Sequence, residues 1–150
     1  MDNYYIHSIV EQCPVLKFKF GGVWSADDFP KLKKNSTFII VNASGKKEPG
    51  THWLLLVCTF YDTVLFWDSL GNPIETYMEI YLRCNALYKN INQLVLPLQG
   101  PKSNMCGAYC IYMAHQMFKP SVSMNGFTNY EVVEFVNEHR SNDLMQFGVI

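Results

Sequence analysis

Residues 52–68, HWLLLVCTFYDTVLFWD, decide how this chain folds. From His52 to Phe60 the run is almost continuously apolar, the pattern of a strand buried on both faces. Val64 to Trp67 repeats that character, and Tyr61-Asp62-Thr63 between them reads as a hairpin turn. A polar residue stands at each outer end of the pair: His52 where the first run opens and Asp68 where the second closes. A turn centred on Asp62 would leave these two offset along the ladder by several residues, and one centred nearer residue 60 would bring them level.

Working outward, Thr37 to Val41 is β-branched and aromatic and predicts another strand, and Leu94-Val95-Leu96 a short one before Pro97. Tyr4 to Gln12 carries apolar residues at helical spacing. Ile74 to Leu87 does the same at positions 74, 77, 78, 81 and 82. Gly21 to Lys34, punctuated by Gly21-Gly22, Asp27-Asp28 and Pro30, reads as loop, as does the polar stretch Ala43 to Gly50. Cys106 to Phe118 predicts a buried helix with Cys110, Met113, Ala114 and Met117 on one face. Thr128 to Arg140 predicts another, with Thr128 and Glu131 as a capping box. The expected architecture is α+β: one domain over residues 1–150, a small and mostly antiparallel sheet packed against helices.

Composition narrows the function. The 150 residues are 49% apolar and 15% aromatic, enough for a substantial core. Lys and Arg number 12 against 13 Asp and Glu, a balance that argues against nucleic acid as the main partner. Lys31, Lys33, Lys34, Lys46 and Lys47 read as a solvated loop surface. The five cysteines are odd in number and no leader-like segment precedes Tyr4, so a reduced intracellular compartment is expected. No apolar run approaches the roughly 20 residues that span a bilayer, and no membrane partner is expected.

Four residues then stand out as a set: His52, Asp68, Gln99 and Cys106. Cys106 opens its helix just after Ser103-Asn104, and a helix N-terminus favours the negative charge of a thiolate. Gly107 beside it lets a substrate backbone approach closely. An imidazole from His52 would pair with the thiolate and later protonate the leaving amine, with Asp68 fixing its tautomer. Gln99, seven residues before Cys106, could donate to an oxyanion together with the Cys106 backbone N–H. A metal site built on Cys106, Cys110 and His115 lacks the paired-cysteine spacing of zinc knuckles. Cys110, four residues after Cys106, reads as core packing behind the nucleophile, and Cys13, Cys58 and Cys84 read as ordinary thiols.

These words of sequence resemble the adenovirus endoprotease (adenain) family, within the wider group that includes ubiquitin-like-modifier proteases. Val41-Asn42-Ala43-Ser44-Gly45 followed by Gly50-Thr51-His52-Trp53 is similar to that family's approach to its histidine. Gln99-Gly100-Pro101-Lys102-Ser103 leading to Cys106-Gly107, then Cys110 and His115, resembles its glutamine-to-cysteine segment. Phe135 to Ser141 resembles its C-terminal helix. The resemblance implies a monomeric cysteine endopeptidase that cleaves after glycine in viral capsid or core precursors, in the host nucleus or virion. It carries over Cys106 as nucleophile, His52 as base, Gln99 as oxyanion donor and Trp53 as a wall narrowing the cleft around glycine. Asp68 stands where adenain has a glutamate, and aspartate there is the form typical of the ubiquitin-like proteases. Adenain is activated by a disulfide-tethered peptide and by DNA. The interval from Asp68 to Gln99 is shorter here and spans the region of the tethering cysteine, so dependence on a peptide or DNA activator, which the resemblance leaves open, is expected to be weaker or absent, and no cofactor is expected to be required. The alternatives are a processing protease for ubiquitin-like modifiers and, from another class, a silent binding module or an acyltransferase using the same residues.

Overall fold

The computed structural model describes residues 3–35, 37–45, 52–60, 62–99 and 105–118. The expected helix from Thr128 to Arg140, the caps Ser103 and Asn104, and residues 46–51 lie outside these. In chain order the elements are α1 (Asn3–Glu11), β1 (Phe20–Ser25), β2 (Thr37–Asn42), β3 (Trp53–Phe60), β4 (Thr63–Trp67), α2 (Met78–Leu87), β5 (Asn90–Leu94) and α3 (Cys106–Phe118), with a short 3-10 turn at Ile74–Thr76.

The strands form one five-stranded sheet in the order β1-β2-β3-β4-β5. Strand β3 lies at its centre, and alternation along β2 and β3 explains their unbroken apolar sequences. Phe38, Ile40, Leu55 and Val57 face one core with α1 and α3, where Ile6, Ile9, Val10 and the first turns of α3 are buried. Ile39, Val41, Leu54, Leu56 and Cys58 face a second core, closed by Ala26, Phe29, Leu32 and by Ile80 and Cys84 of α2. A sheet covered on both faces has no solvent side, so the polar alternation of a half-exposed strand is missing.

The sheet is mixed rather than mostly antiparallel. Its two inner pairings, β2 with β3 and β3 with β4, are antiparallel, and its two outer pairings are parallel. The reason lies in the connections: the segment after β1 returns the chain to start β2 beside β1, and α2 returns it to start β5 beside β4. A hairpin cannot make a parallel pair; a crossover can.

Three local expectations shift. The supposed loop at Gly21-Gly22 lies inside β1, where the pairing slips between Phe20 and Val23 and Gly22 takes a φ of 105°. The glycines mark a bulge, not a loop. The fifth strand is Asn90–Leu94 rather than Leu94–Leu96: an exposed edge strand can be polar, so its apolar signal is weak. The helix from Ile74 breaks at Tyr77, and beyond the break Ile80 and Cys84 turn inward while Met78 and Leu82 stay exposed.

Candidate active site

The hairpin brings His52 and Asp68 together at one end of the sheet. Its register runs from Cys58 opposite Val64 to Leu55 opposite Trp67, with a bulge near Phe60, and extended one step it sets Asp68 opposite Leu54. His52 is therefore two residues off level, between the two registers open in the sequence. The offset is bridged because both residues lie just outside their strands. Asp68 turns back through Gly71 N–H, which donates to the Asp68 carbonyl at 2.9 Å. Gly71 sits at φ 83° against Pro97, where a Cβ would come within 2.9 Å of the proline Cβ.

The His52 Nε2 lies 2.7 Å from Asp68 Oδ1. Asp68 is 1% exposed, and three groups hold it: the imidazole, the Leu70 N–H at 3.0 Å on Oδ1, and the Tyr77 hydroxyl, which donates to Oδ2 at 2.6 Å. Burial raises the carboxyl's pKa, but hydrogen bonds from His52, Tyr77 and Leu70 outweigh it and hold it below its ordinary value. The opposite holds for the ring. Burial disfavours the imidazolium, yet hydrogen bonds to Asp68 and Cys106 and the negative charge of both raise His52 to about 9.

Cys106 is the first residue of α3 and is nearly buried. Its sulfur accepts the Trp53 backbone N–H at 3.3 Å, while the Cys110 thiol, one turn later, donates to the Trp53 carbonyl at 3.4 Å. One residue of β3, Trp53, is thus gripped through its N–H and its carbonyl by two cysteines with different prospects. Burial pushes the Cys110 thiol well above its ordinary pKa, which keeps it protonated and unreactive. Cys106 instead meets an imidazole and two sources of positive potential, the Trp53 N–H and the helix N-terminus. Trp53 is 5% exposed and Gly107 is buried in the first turn of α3.

Gln99 lies on the segment after β5 and is 8% exposed. Its Oε1 accepts the Ser69 hydroxyl, and its backbone N–H donates to the Ser69 carbonyl at 2.9 Å. It therefore joins the site through the residue that follows Asp68. The four residues singled out in the sequence gather at one end of the sheet. Tyr77 and Ser69 were not foreseen. Tyr77 looked like one more apolar helix position, but at the break it leaves helical geometry, bonds Asp68 and stacks on the His52 ring with centroids 5.9 Å apart.

No family model matches the chain. The protease of human adenovirus B serotype 3 is 30% identical over 121 residues, which cover 71% of this chain and 56% of that protein. The protease of human adenovirus D serotype 9 is 30% identical over 90 residues, covering 51% of this chain and 43% of its own length. Both matches support a distant relation to the adenovirus proteases, and the chain spans about half the length of the curated relatives it matches. Among solved structures, the central domain of the uncharacterized Lpg1148 protein from Legionella pneumophila matches with a TM-score of 0.52 at 10% identity. That likeness covers 99% of this chain and 93% of the other, and it bears on the fold alone.

Proposed function

We propose that this chain is a cysteine endopeptidase that cleaves after glycine in viral capsid or core precursor proteins. The observation that carries this reading is the setting of His52, whose Nε2 lies 2.7 Å from the buried Asp68 carboxylate and whose pKa the neighbouring Cys106 helps to raise. The distant relation to proteins named protease adds the substrate class, a polypeptide.

In the reaction, the Cys106 sulfur attacks the glycine carbonyl carbon and a C–S bond forms. The oxygen becomes an oxyanion facing the Gln99 carboxamide and the Cys106 backbone N–H. His52, charged at neutral pH, gives its Nδ1 proton to the amine nitrogen as the C–N bond breaks, leaving a thioester. Water then attacks the thioester carbon, His52 takes its proton, and the sulfur leaves as the acid product forms. Asp68 keeps Nε2–H directed away from the reaction throughout. The enzyme acts as a monomer inside the infected cell, in the nucleus or the virion.

A fluorogenic peptide panel ending in Gly-X-Gly or Gly-Gly, run beside folded ubiquitin-like fusions, tests this. Cleavage of the short peptides, absent in Cys106→Ala and absent on the fusions, is the expected result. Cleavage of the fusions alone would make the chain a modifier protease instead. Silence on both, with and without added polyanion or peptide, would remove the protease reading.

A further inference from the structure

An oxyanion donor made from glutamine poses a geometric problem. A carboxamide has an acceptor end and a donor end of nearly the same shape, and only the donor end stabilises an oxyanion. Turned over, the same group would aim its carbonyl oxygen at the developing charge. Glutamine has three side-chain torsions, the last of them soft, so placing its backbone does not fix which end faces the reaction.

Ser69 supplies what is missing. It is fully buried, and its carbonyl accepts the backbone N–H of both Leu98 and Gln99 at 2.9 Å. Its hydroxyl donates to Gln99 Oε1. A hydroxyl has one hydrogen, and a buried O–H without an acceptor is costly. Among the described residues the acceptor recorded for this one is Gln99 Oε1. If the amide turned over, its NH2 would face Ser69 and the serine hydrogen would lose that acceptor. The donation therefore selects one of two orientations, with the NH2 end directed away from Ser69.

We propose that Ser69 is a positioning residue that orients the Gln99 carboxamide so that its donor end faces the carbonyl attacked by Cys106. This rests on the protease reading above. It also makes the dipeptide after β4 a shared mount: Asp68 fixes the imidazole and Ser69 fixes the oxyanion donor, one residue apart. A shift in this turn would disturb both halves of the site together.

The experiment is a double-mutant cycle on the full chain, using a glycyl fluorogenic peptide that the wild type hydrolyses. Ser69→Ala is expected to lower kcat about tenfold with KM little changed, and Gln99→Ala to lower it about 10²–10³-fold, the usual effect of losing an oxyanion donor. The double variant should equal Gln99→Ala, because an orienting group has nothing to orient once the carboxamide is gone. Alkylation of Cys106 by iodoacetamide forms no oxyanion, so its rate and pH profile should match wild type in all three variants. Three results would overturn the proposal: wild-type hydrolysis by Ser69→Ala, a further loss in the Gln99→Ala background, or an alkylation rate that falls in step with kcat. The last would mark a general loosening of the site. A wild type that neither hydrolyses the peptides nor alkylates selectively at Cys106 removes the protease reading, and the role of Ser69 with it.

Discussion

The two ends of the β3–β4 hairpin carry nearly the same cast. At one end stand Cys106, the aspartate Asp68 and the cationic ring of His52. At the other stand Cys58, the aspartate Asp62 and the ammonium of Lys31, around an open pocket that Lys33, Lys34 and Asn35 also line. The Lys31 and Asp62 side chains pair but remain 38% and 41% exposed, whereas the side chains of His52 and Asp68 are 14% and 0% exposed. An exposed pair is screened and worth at most about 1 kcal/mol, while a buried carboxylate keeps its field on its neighbour. The sulfurs differ as well. Cys58 lies on β3 near the hairpin turn, where burial raises its pKa with Lys31 acting against it and Asp62 in its favour. Cys106 has a helix N-terminus, a backbone N–H and an imidazole. Residue types alone do not make a site; burial of the carboxylate and the setting of the sulfur separate the two ends.

The sharpest way to break this comparison is to remove each sulfur. Cys106→Ala should lower peptide hydrolysis by at least about 10⁴-fold, as loss of a nucleophile does, without changing the circular dichroism spectrum. Cys58→Ala should stay within about threefold of wild type, since its thiol faces the Asn35 carboxamide rather than an imidazole. Mass spectrometry after brief iodoacetamide treatment should find the label on Cys106 before Cys58. Equal labelling would dissolve the distinction.

Next in size is the pair of aspartates. Asp68→Asn should cost about 10²–10⁴-fold in kcat, because the ring loses both its tautomer control and its counter-charge. Asp62→Asn should leave kcat untouched and lower stability by no more than about 1 kcal/mol in urea denaturation. Comparable losses from both substitutions would mean that burial of Asp68 is not what matters.

How much of this was legible depended on the scale at which each signal is written. The β3–β4 hairpin, α1 and α3 show in the sequence because a buried face imposes its period on a long stretch. Asp68 and His52 were visible as polar residues at the ends of apolar runs, and Cys106 as a thiol heading a helix. Their register was not, because the bulge near Phe60 leaves no mark on hydrophobicity. The parallel edges were hidden for a related reason: β1 is broken by Gly21-Gly22, and β5 is written in Asn and Gln. Tyr77 and Ser69 meet the site through side-chain contacts that depend on where the chain turns, and no periodicity encodes such a contact.

The charge on His52 predicts a pH effect of intermediate size. Its pKa in the folded chain is raised from 6.5 to about 9, so the folded state binds this proton more tightly than the unfolded one. The stabilisation is complete below about pH 6.5 and is lost as pH rises through about 9. Urea denaturation should therefore show stability declining across that window in wild type and much less in His52→Gln. Hydrolysis should follow the same alkaline limb, falling about tenfold per pH unit once the proton for the leaving amine is gone. A limb near the ordinary histidine value would mean that Asp68 and Cys106 do not hold the imidazolium as their geometry implies.

The smallest expected effect separates positioning from chemistry within the base side. Tyr77→Phe keeps the ring that stacks on His52 and removes only the hydroxyl that donates to Asp68. Asp68 retains the Leu70 N–H and the imidazole, so the carboxylate stays charged but loses one of three restraints. A net loss of about 1–2 kcal/mol in holding the carboxylate, typical of a hydrogen bond to a charged group, corresponds to a fall in kcat of about fivefold to thirtyfold if it acts fully on the reaction. It should be smaller in practice, because Asp68 still touches His52 through the other oxygen. The decisive readout is the alkaline limb: with Asp68 less firmly held, its support for the imidazolium weakens and the limb moves below about 9. A lower kcat with the limb unmoved would place the role of Tyr77 in its ring rather than its hydroxyl.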